Sequence, residues 1–114
     1  KTKAGKDRVV PIHSKIRPLV EARLAEGGPR LISYNGRACS QTQYRVFWAD
    51  IMKALKINHT PHECRHTFET QLDSAGANRK CIDLLMGHVS KDTGNRVYNH
   101  KTLDELKSTV ELIQ

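Results

Sequence analysis

The residues best equipped for chemistry lie together in one stretch near the middle of the chain, residues 60–68. His62, Glu63 and His66 match H-E-x-x-H, a pattern in which two histidines one helical turn apart bind zinc and the glutamate acts as general base. His62 and Arg65 instead form H-x-x-R, which suits a phosphate group. An arginine fork binds two oxygens at once, and a histidine one turn away donates a hydrogen bond or exchanges a proton. The stretch therefore supports two kinds of site.

A helix is predicted to position these side chains. Thr60 is a suitable N-cap, Pro61 suits the first helical position, and Gly76 ends the helix after about Ser74. At about 100° per residue, a helical wheel separates a polar side from an apolar side. The polar side holds His62, Arg65, His66, Glu69 and Asp73, and the apolar side holds Cys64, Phe68, Leu72 and Ala75. We expect the apolar side to pack and the polar side to face a ligand.

The helix by itself leaves three interpretations open. A zinc site needs a third protein ligand, which His88 or Glu69 would have to supply. The positive charge of Arg65 beside the two histidines opposes such a metal. A phosphate site needs only His62 and Arg65. The simplest interpretation involves no ligand, because Arg65 also has the spacing for a surface ion pair with Glu69.

Short strands and further helices are predicted around this central helix. Two strands flank a turn within residues 1–12, the second of them at Val9–Ile12. Another short strand, Arg30–Tyr34, precedes an Asn35–Gly36 turn. Four more helices are predicted to begin after the N-caps Ser14, Ser40, Asn78 and Thr102. The predicted fold class is α+β, mainly α, with a small N-terminal β-hairpin.

The main hydrophobic mass is expected on the helix that follows Ser40. Its apolar residues recur at i, i+3 and i+4 and form a stripe of Tyr44, Phe47, Trp48, Ile51, Met52 and Leu55. The last helix, after Thr102, has a second stripe of Leu103, Leu106, Val110 and Ile113. The first stripe is predicted to form core, and the second must be buried in its own chain or in a neighbouring one.

The helix that follows Asn78 is predicted to end at Gly87, which leaves His88 exposed on the next loop. Its inward-facing residues are Ile82, Leu85 and Met86. The remaining candidates receive structural roles: we expect packed thiols at Cys64 and Cys81 and surface imidazoles at His13 and His59.

The composition fits one domain with a modest core, since 38% of the 114 residues are hydrophobic. The formal net charge is +7, and residues 1–30 carry 8 basic and 3 acidic side chains, a net charge of +5. A basic segment of this kind favours a polyanion such as nucleic acid, and charge alone is equally compatible with a solvated surface.

The three cysteines are widely spaced and include no C-x-x-C pair, which argues against a disulfide framework or a zinc ribbon. A reducing cytoplasm is the expected compartment. The sequence has no apolar run near the length of a membrane helix and no signal-peptide pattern at its start. It also begins without methionine, so we expect a fragment of a longer chain.

Four motifs occur in order along the chain. They are the opening segment K-T-K-A-G-K-D-R-V-V-P at residues 1–11, P-H-x-x-R-H-T-F at 61–68, L-M-G-H at 85–88, and Y-x-H at 98–100. Together they resemble the tyrosine recombinase (phage integrase) family, which has a β-hairpin with a catalytic lysine, an H-x-x-R box, an (L/M)-G-H box and a nucleophilic tyrosine. The resemblance extends over essentially all of the chain, and four ordered boxes are far more specific than H-E-x-x-H alone.

The resemblance implies a role for each matching residue. Tyr98 would attack the scissile phosphodiester, form a 3′-phosphotyrosyl bond and release a 5′-hydroxyl. Arg65 would hold the non-bridging oxygens, His62 would serve in proton transfer and phosphate binding, and His88 would donate a hydrogen bond to the phosphate. The chemistry implies no metal and no other cofactor. Of the remaining histidines, His66 is expected to support the site.

The lysine that would protonate the leaving 5′-oxygen has two candidates. A Lys-Thr pattern selects Lys1, which we prefer by a small margin, whereas counting back from Val10–Pro11 without a gap selects Lys3. Further contacts to DNA are predicted for Lys3, Lys6 and Arg8.

One family feature has no match. The first catalytic arginine of the family precedes the hairpin, whereas Arg17 and Arg23 follow it. Residues 1–114 therefore resemble the C-terminal two thirds of a single catalytic domain, which we expect to be inactive alone. The implied partners are double-stranded DNA and, in a full-length synaptic complex, three further copies in a homo-tetramer. Other hypotheses are a non-catalytic DNA-binding module and, less favoured, the zinc metallopeptidase.

Overall fold

The computed structural model describes residues 8–88 and 102–114. Within these ranges it has five helices: α1 Arg17–Ala25, α2 Gln41–Leu55, α3 Pro61–Ser74, α4 Arg79–Met86 and α5 Leu103–Val110. Two short strands, β1 Ser33–Tyr34 and β2 Arg37–Ala38, pair antiparallel. The mainly helical α+β class predicted from the sequence is confirmed. None of the helices in the described ranges has both the length and the apolar content needed to cross a membrane.

The small sheet lies between α1 and α2 in the chain. The two residues at its turn, Asn35 and Gly36, have φ of 49° and 71°, the left-handed conformation that a two-residue hairpin turn requires. The hairpin predicted at the N-terminus lies largely outside the described residues. Residues 8–12, the described part of this prediction, form no strand.

The chain divides into two compact units. The first unit comprises residues 1–14 and 65–114, and the second comprises residues 15–64, so the boundary falls inside α3. The two units differ in how many of their side chains are buried.

Helices α4 and α5 pack together in the first unit and form its hydrophobic core. The buried residues are Leu72, Ile82, Leu85, Met86 and Val110, and the partly buried residues against them are Phe68, Ala77, Leu106 and Ile113. Asn78 caps α4, and Thr102 and Glu105 form a reciprocal capping box at α5. Three residues of the α5 stripe, Leu106, Val110 and Ile113, therefore pack against their own chain, whereas Leu103 is 57% exposed.

The second unit has no comparable core. Ser40 and Gln43 form a capping box at α2, as the sequence predicts for Ser40, and Tyr34 meets Phe47 edge to face at 5.2 Å. Trp48 donates a hydrogen bond from Nε1 to the His59 carbonyl. However, none of residues 15–64, all of which the structure describes, is buried. The prediction that the α2 stripe supplies the main hydrophobic mass is wrong, because the buried contacts lie among α3, α4 and α5.

The segment before α1 also differs from its prediction. Ser14 does not cap α1, whose N-cap is Ile16 and has no side-chain hydrogen bond. The Ser14 backbone N–H and hydroxyl instead donate to the two carboxylate oxygens of Glu111, at 2.8 and 2.7 Å. His13 was predicted to lie on the surface, but its side chain is only 13% exposed and its Nε2 lies 2.9 Å from the Ile113 carbonyl.

Candidate active site

Arg65 of the H-x-x-R box meets the M-G-H box in the first unit through one hydrogen bond. Arg65 is half-buried in α3, and its Nη2 donates to the backbone carbonyl of Met86 at the end of α4. We call residues 86–88 the His88 turn. The bond uses one of the five guanidinium N–H groups, so the arginine is oriented and still has N–H groups for a ligand.

The geometry of the His88 turn follows from Gly87. This residue has φ of 69°, and its N–H caps α4 by donating to the Leu84 carbonyl at 3.1 Å. The next N–H, that of His88, donates to the Asp83 carbonyl at 2.8 Å, which completes a Schellman-type end. The chain therefore leaves the helix at once, and the His88 side chain is 45% exposed. The predictions of a stop at Gly87 and an exposed His88 are confirmed.

Arg8 approaches the same turn. A Cβ atom added to Gly87 would overlap the Arg8 guanidinium, so the side chain of Arg8 fills the space beside this glycine. Gly87 thus meets two requirements, a positive φ and the absence of a side chain. Two guanidinium groups, those of Arg8 and Arg65, reach the His88 turn. Sequence reasoning gave Arg8 only a role in DNA contact, and no local pattern indicated that it lies beside Gly87.

Glu63 has a structural role at the start of α3. Its carboxylate accepts hydrogen bonds from Thr60, including one from the backbone N–H, and lies 3.5 Å from His59 Nδ1. The bonds from Thr60 lower the pKa of Glu63, so this carboxylate is a helix cap, as in a capping box. The sequence pattern suggested only the role of a zinc-site base for Glu63.

His62, His66 and Cys64 are exposed on α3. His62 lies three residues before Arg65 in the same helix, the spacing that the sequence predicts. The expectation that Cys64 is packed is wrong, whereas Cys81 is buried as predicted. Within residues 8–88 and 102–114, no three side chains of the metal-ligating types are grouped to hold an ion.

The surface ion pair that competed with a phosphate role for Arg65 does not form. Glu69 pairs with Arg79 instead, with Oε1 2.8 Å from Nη2. Arg79 Nε also lies 3.1 Å from Asp83 Oδ1, so this arginine joins α3 to α4. The carboxylate of Glu69 is thus paired with Arg79 and not with Arg65.

Several predicted site residues lie outside the described ranges. They are the nucleophile candidate Tyr98, the two lysine candidates Lys1 and Lys3, and the DNA contact Lys6. Of the predicted set, the structure brings Arg65, Arg8 and His88 to one turn, and their assigned roles remain predictions.

Comparison with known proteins gives one family match. The family model described as the phage integrase family matches residues 1–105. Among curated relatives, the tyrosine recombinase XerC of Pelobacter propionicus is 33% identical over 91% of this chain. XerD of Halalkalibacterium halodurans is 27% identical over 92%, and XerA of Thermococcus kodakarensis is 30% identical over 96%.

The match covers only part of each relative. This chain spans 37% of the XerC, 39% of the XerD and 41% of the XerA sequence. No solved structure matches the chain significantly.

Proposed function

Because the chain belongs to the phage integrase family, we propose that residues 1–114 form the C-terminal two thirds of a catalytic domain that cuts and rejoins DNA at specific sites. Tyr98 is the nucleophile, and Arg65, His62 and His88 bind the scissile phosphate. The observation that carries the proposal is the hydrogen bond from Arg65 to the Met86 carbonyl, since it joins the two phosphate-binding motifs in space.

The chemistry follows from charge. As the Tyr98 oxygen bonds to phosphorus, negative charge builds on the non-bridging oxygens, and a guanidinium already oriented by Met86 stabilises that charge without reorganising. A free tyrosine has a pKa of about 10, so its proton must pass to a base, the role we give to His62. The bond from phosphorus to the 5′-oxygen breaks, and Lys1 or Lys3 supplies the proton to that oxygen.

The positive charge of the chain supports a DNA partner. Lys3, Lys6 and Arg8 belong to the basic segment 1–30, and such side chains bind phosphates without reading sequence. The relatives named above are tyrosine recombinases. We extend their activity to the full-length protein, together with assembly on DNA as a homo-tetramer and a cytoplasmic location.

The decisive experiment is a covalent trap. Full-length protein is incubated with a nicked suicide duplex that lets the cut end diffuse away, and protein–DNA adducts are resolved on denaturing gels. We expect an adduct with the parent protein, none with Tyr98→Phe, and a normal yield with Tyr34→Phe. Tyr34 is a suitable control because it is exposed on β1 and contacts Phe47.

Two results would change the assignment. An adduct that persists in Tyr98→Phe would exclude Tyr98 as the nucleophile. DNA binding without any adduct, equal in parent and Tyr98→Phe, would favour the non-catalytic DNA-binding module.

A separate assay concerns the 114-residue chain by itself. The family's first catalytic arginine has no counterpart in residues 1–114, so we expect little or no strand cleavage from this chain alone. Robust turnover of the suicide duplex by residues 1–114 would refute that expectation.

A further inference from the structure

The Asp83 carboxylate lies beside the Nδ1 atom of His88. The Asp83 Oδ1 atom is 3.8 Å from His88 Nδ1, which is ion-pair distance when the imidazole carries its second proton. The same aspartate accepts a hydrogen bond from the His88 backbone N–H through its carbonyl, at 2.8 Å. Asp83, in the last turn of α4, thus contacts both the backbone N–H and the ring of His88.

Asp83 is itself held in place. Arg79 Nε lies 3.1 Å from Asp83 Oδ1, and Arg79 Nη2 donates to Glu69 Oε1 at 2.8 Å. The hydrogen bond to Glu69 and the charge of Asp83 raise the pKa of Arg79, so the guanidinium stays charged. The resulting chain of charges, Glu69–Arg79–Asp83–His88, joins α3 to the His88 turn and lies entirely within the first unit.

Helix stability does not explain an aspartate at this position. Carboxylates are unfavourable near a helix C-terminus, where the macrodipole is negative, and Asp83 lies in the last turn of α4. The ion pair with Arg79 also stabilises the helix only weakly, because the basic residue comes first. An acidic residue four positions before a basic residue stabilises a helix more than the reverse order. A contribution to His88 accounts for the position better.

We propose that Asp83 is a positioning residue for His88. The two imidazole nitrogens lie on opposite sides of the ring, so a carboxylate that faces Nδ1 turns Nε2 away from α4. His88 Nε2 is then the atom presented to the scissile phosphate. That last step rests on the function proposed above, whereas the pairing of Asp83 with His88 does not.

The first test observes the imidazole directly. In full-length protein with 15N-labelled histidine, two-bond 1H–15N spectra report the protonation of Nδ1 and Nε2, and His88→Asn identifies the His88 signals. We expect Asp83→Asn to shift both His88 nitrogen resonances. The matched control is Asp50→Asn, which removes the same charge from an exposed aspartate in α2 and should leave them unchanged. Identical His88 spectra in Asp83→Asn and the parent would overturn the proposal.

The second test separates positioning from stability. We expect Asp83→Asn to lower the single-turnover cleavage rate about 10-fold to 100-fold, the range known for partners that orient a metal-bound histidine through its other ring nitrogen. The dissociation constant for DNA should stay within about twofold, and Asp83→Glu should recover part of the rate. In a His88→Asn background, Asp83→Asn should have no further effect.

Full additivity of Asp83→Asn and His88→Asn would contradict the proposal, as would a loss of DNA affinity equal to the loss of rate. If Asp83→Asn does not fold, Arg79→Gln removes the cation that shares the carboxylate with His88 and should shift both His88 nitrogen resonances, and unchanged spectra in this variant would overturn the proposal. Absence of any adduct with parent protein would refute the proposed function alone, because the His88 spectra test the pairing without DNA.

Discussion

The two units of this chain hold their side chains by different means. In the first unit, Leu72 and Ile82 are fully buried among α3, α4 and α5, and hydrogen bonds tie Ser14 to Glu111 across most of the sequence. In the second unit, caps, a hairpin turn and one pair of aromatic rings define local structure, and no residue of 15–64 is buried. The turn that presents His88 belongs to the unit with the core. Burial fixes the end of α4, and that end orients Arg65.

The largest expected difference between the units is in leucine truncation. Leu72→Ala should lower the free energy of unfolding by about 2–5 kcal/mol, because it removes a side chain with no exposed surface and leaves a cavity. Leu19→Ala in α1, where the side chain is 68% exposed, should change it by no more than about 0.5 kcal/mol. Urea unfolding of both variants measures the contrast. Equal losses would show that the second unit has a core of its own.

Two glycines that end helices provide a closer comparison. Gly27 follows α1 with φ of 70° and has an open space where a Cβ would lie, whereas Gly87 follows α4 with φ of 69° beside Arg8. Alanine at either position should cost about 1–2 kcal/mol, the penalty of a left-handed conformation. Arg8 is flexible and should swing aside, so we expect only Gly87→Ala to shift the Arg8 Nε–H resonance. A shift of that signal in Gly27→Ala would contradict the contact.

The capping boxes of α2 and α5 test whether the units open separately. Ser40→Ala and Thr102→Ala each remove a hydroxyl that accepts a backbone N–H, at a cost of about 1 kcal/mol. In native-state hydrogen exchange, Ser40→Ala should reduce the protection of α2 amides only. Thr102→Ala should reduce the protection of α5 amides and also of α4 amides, because α5 packs against α4. Equal effects throughout the chain would indicate that the units open as one.

The smallest effects are expected from pH. Bonds from the Ser14 hydroxyl and N–H lower the pKa of Glu111 in the first unit, and bonds from Thr60 lower that of Glu63 in the second. Because each folded-state pKa lies below its unfolded value, the stabilisation is complete above the ordinary glutamate pKa of about 4.3. It is lost as pH falls through the folded-state pKa. Glu111→Gln and Glu63→Gln should each reduce the fall in the free energy of unfolding at acid pH. An unchanged dependence on pH would argue against these bonds.

Most of the helix ends could be predicted from the sequence. The caps at Ser40, Asn78 and Thr102 and the stop at Gly87 depend on interactions within about five residues, and each is confirmed. Patterns of this length contain all the atoms that make the bond, so a linear sequence suffices. The ordered boxes likewise indicated the family over nearly the whole chain.

Contacts between distant segments could not be predicted in this way. Ser14 looked like a helix cap and binds Glu111, Arg8 lies against Gly87, and the aromatic stripe of α2 has no buried residue. In each case the local pattern is compatible with several partners, and tertiary packing selects one of them.

The sequence determined the motifs, most of the helix ends and the family of this chain, because each depends on neighbouring residues or on their order. Tertiary structure determined the position of the core, the bond from Arg65 to Met86 and the carboxylate behind His88. These depend on distances between helices, which hydrophobic burial sets among α3, α4 and α5 and no spacing along the chain records.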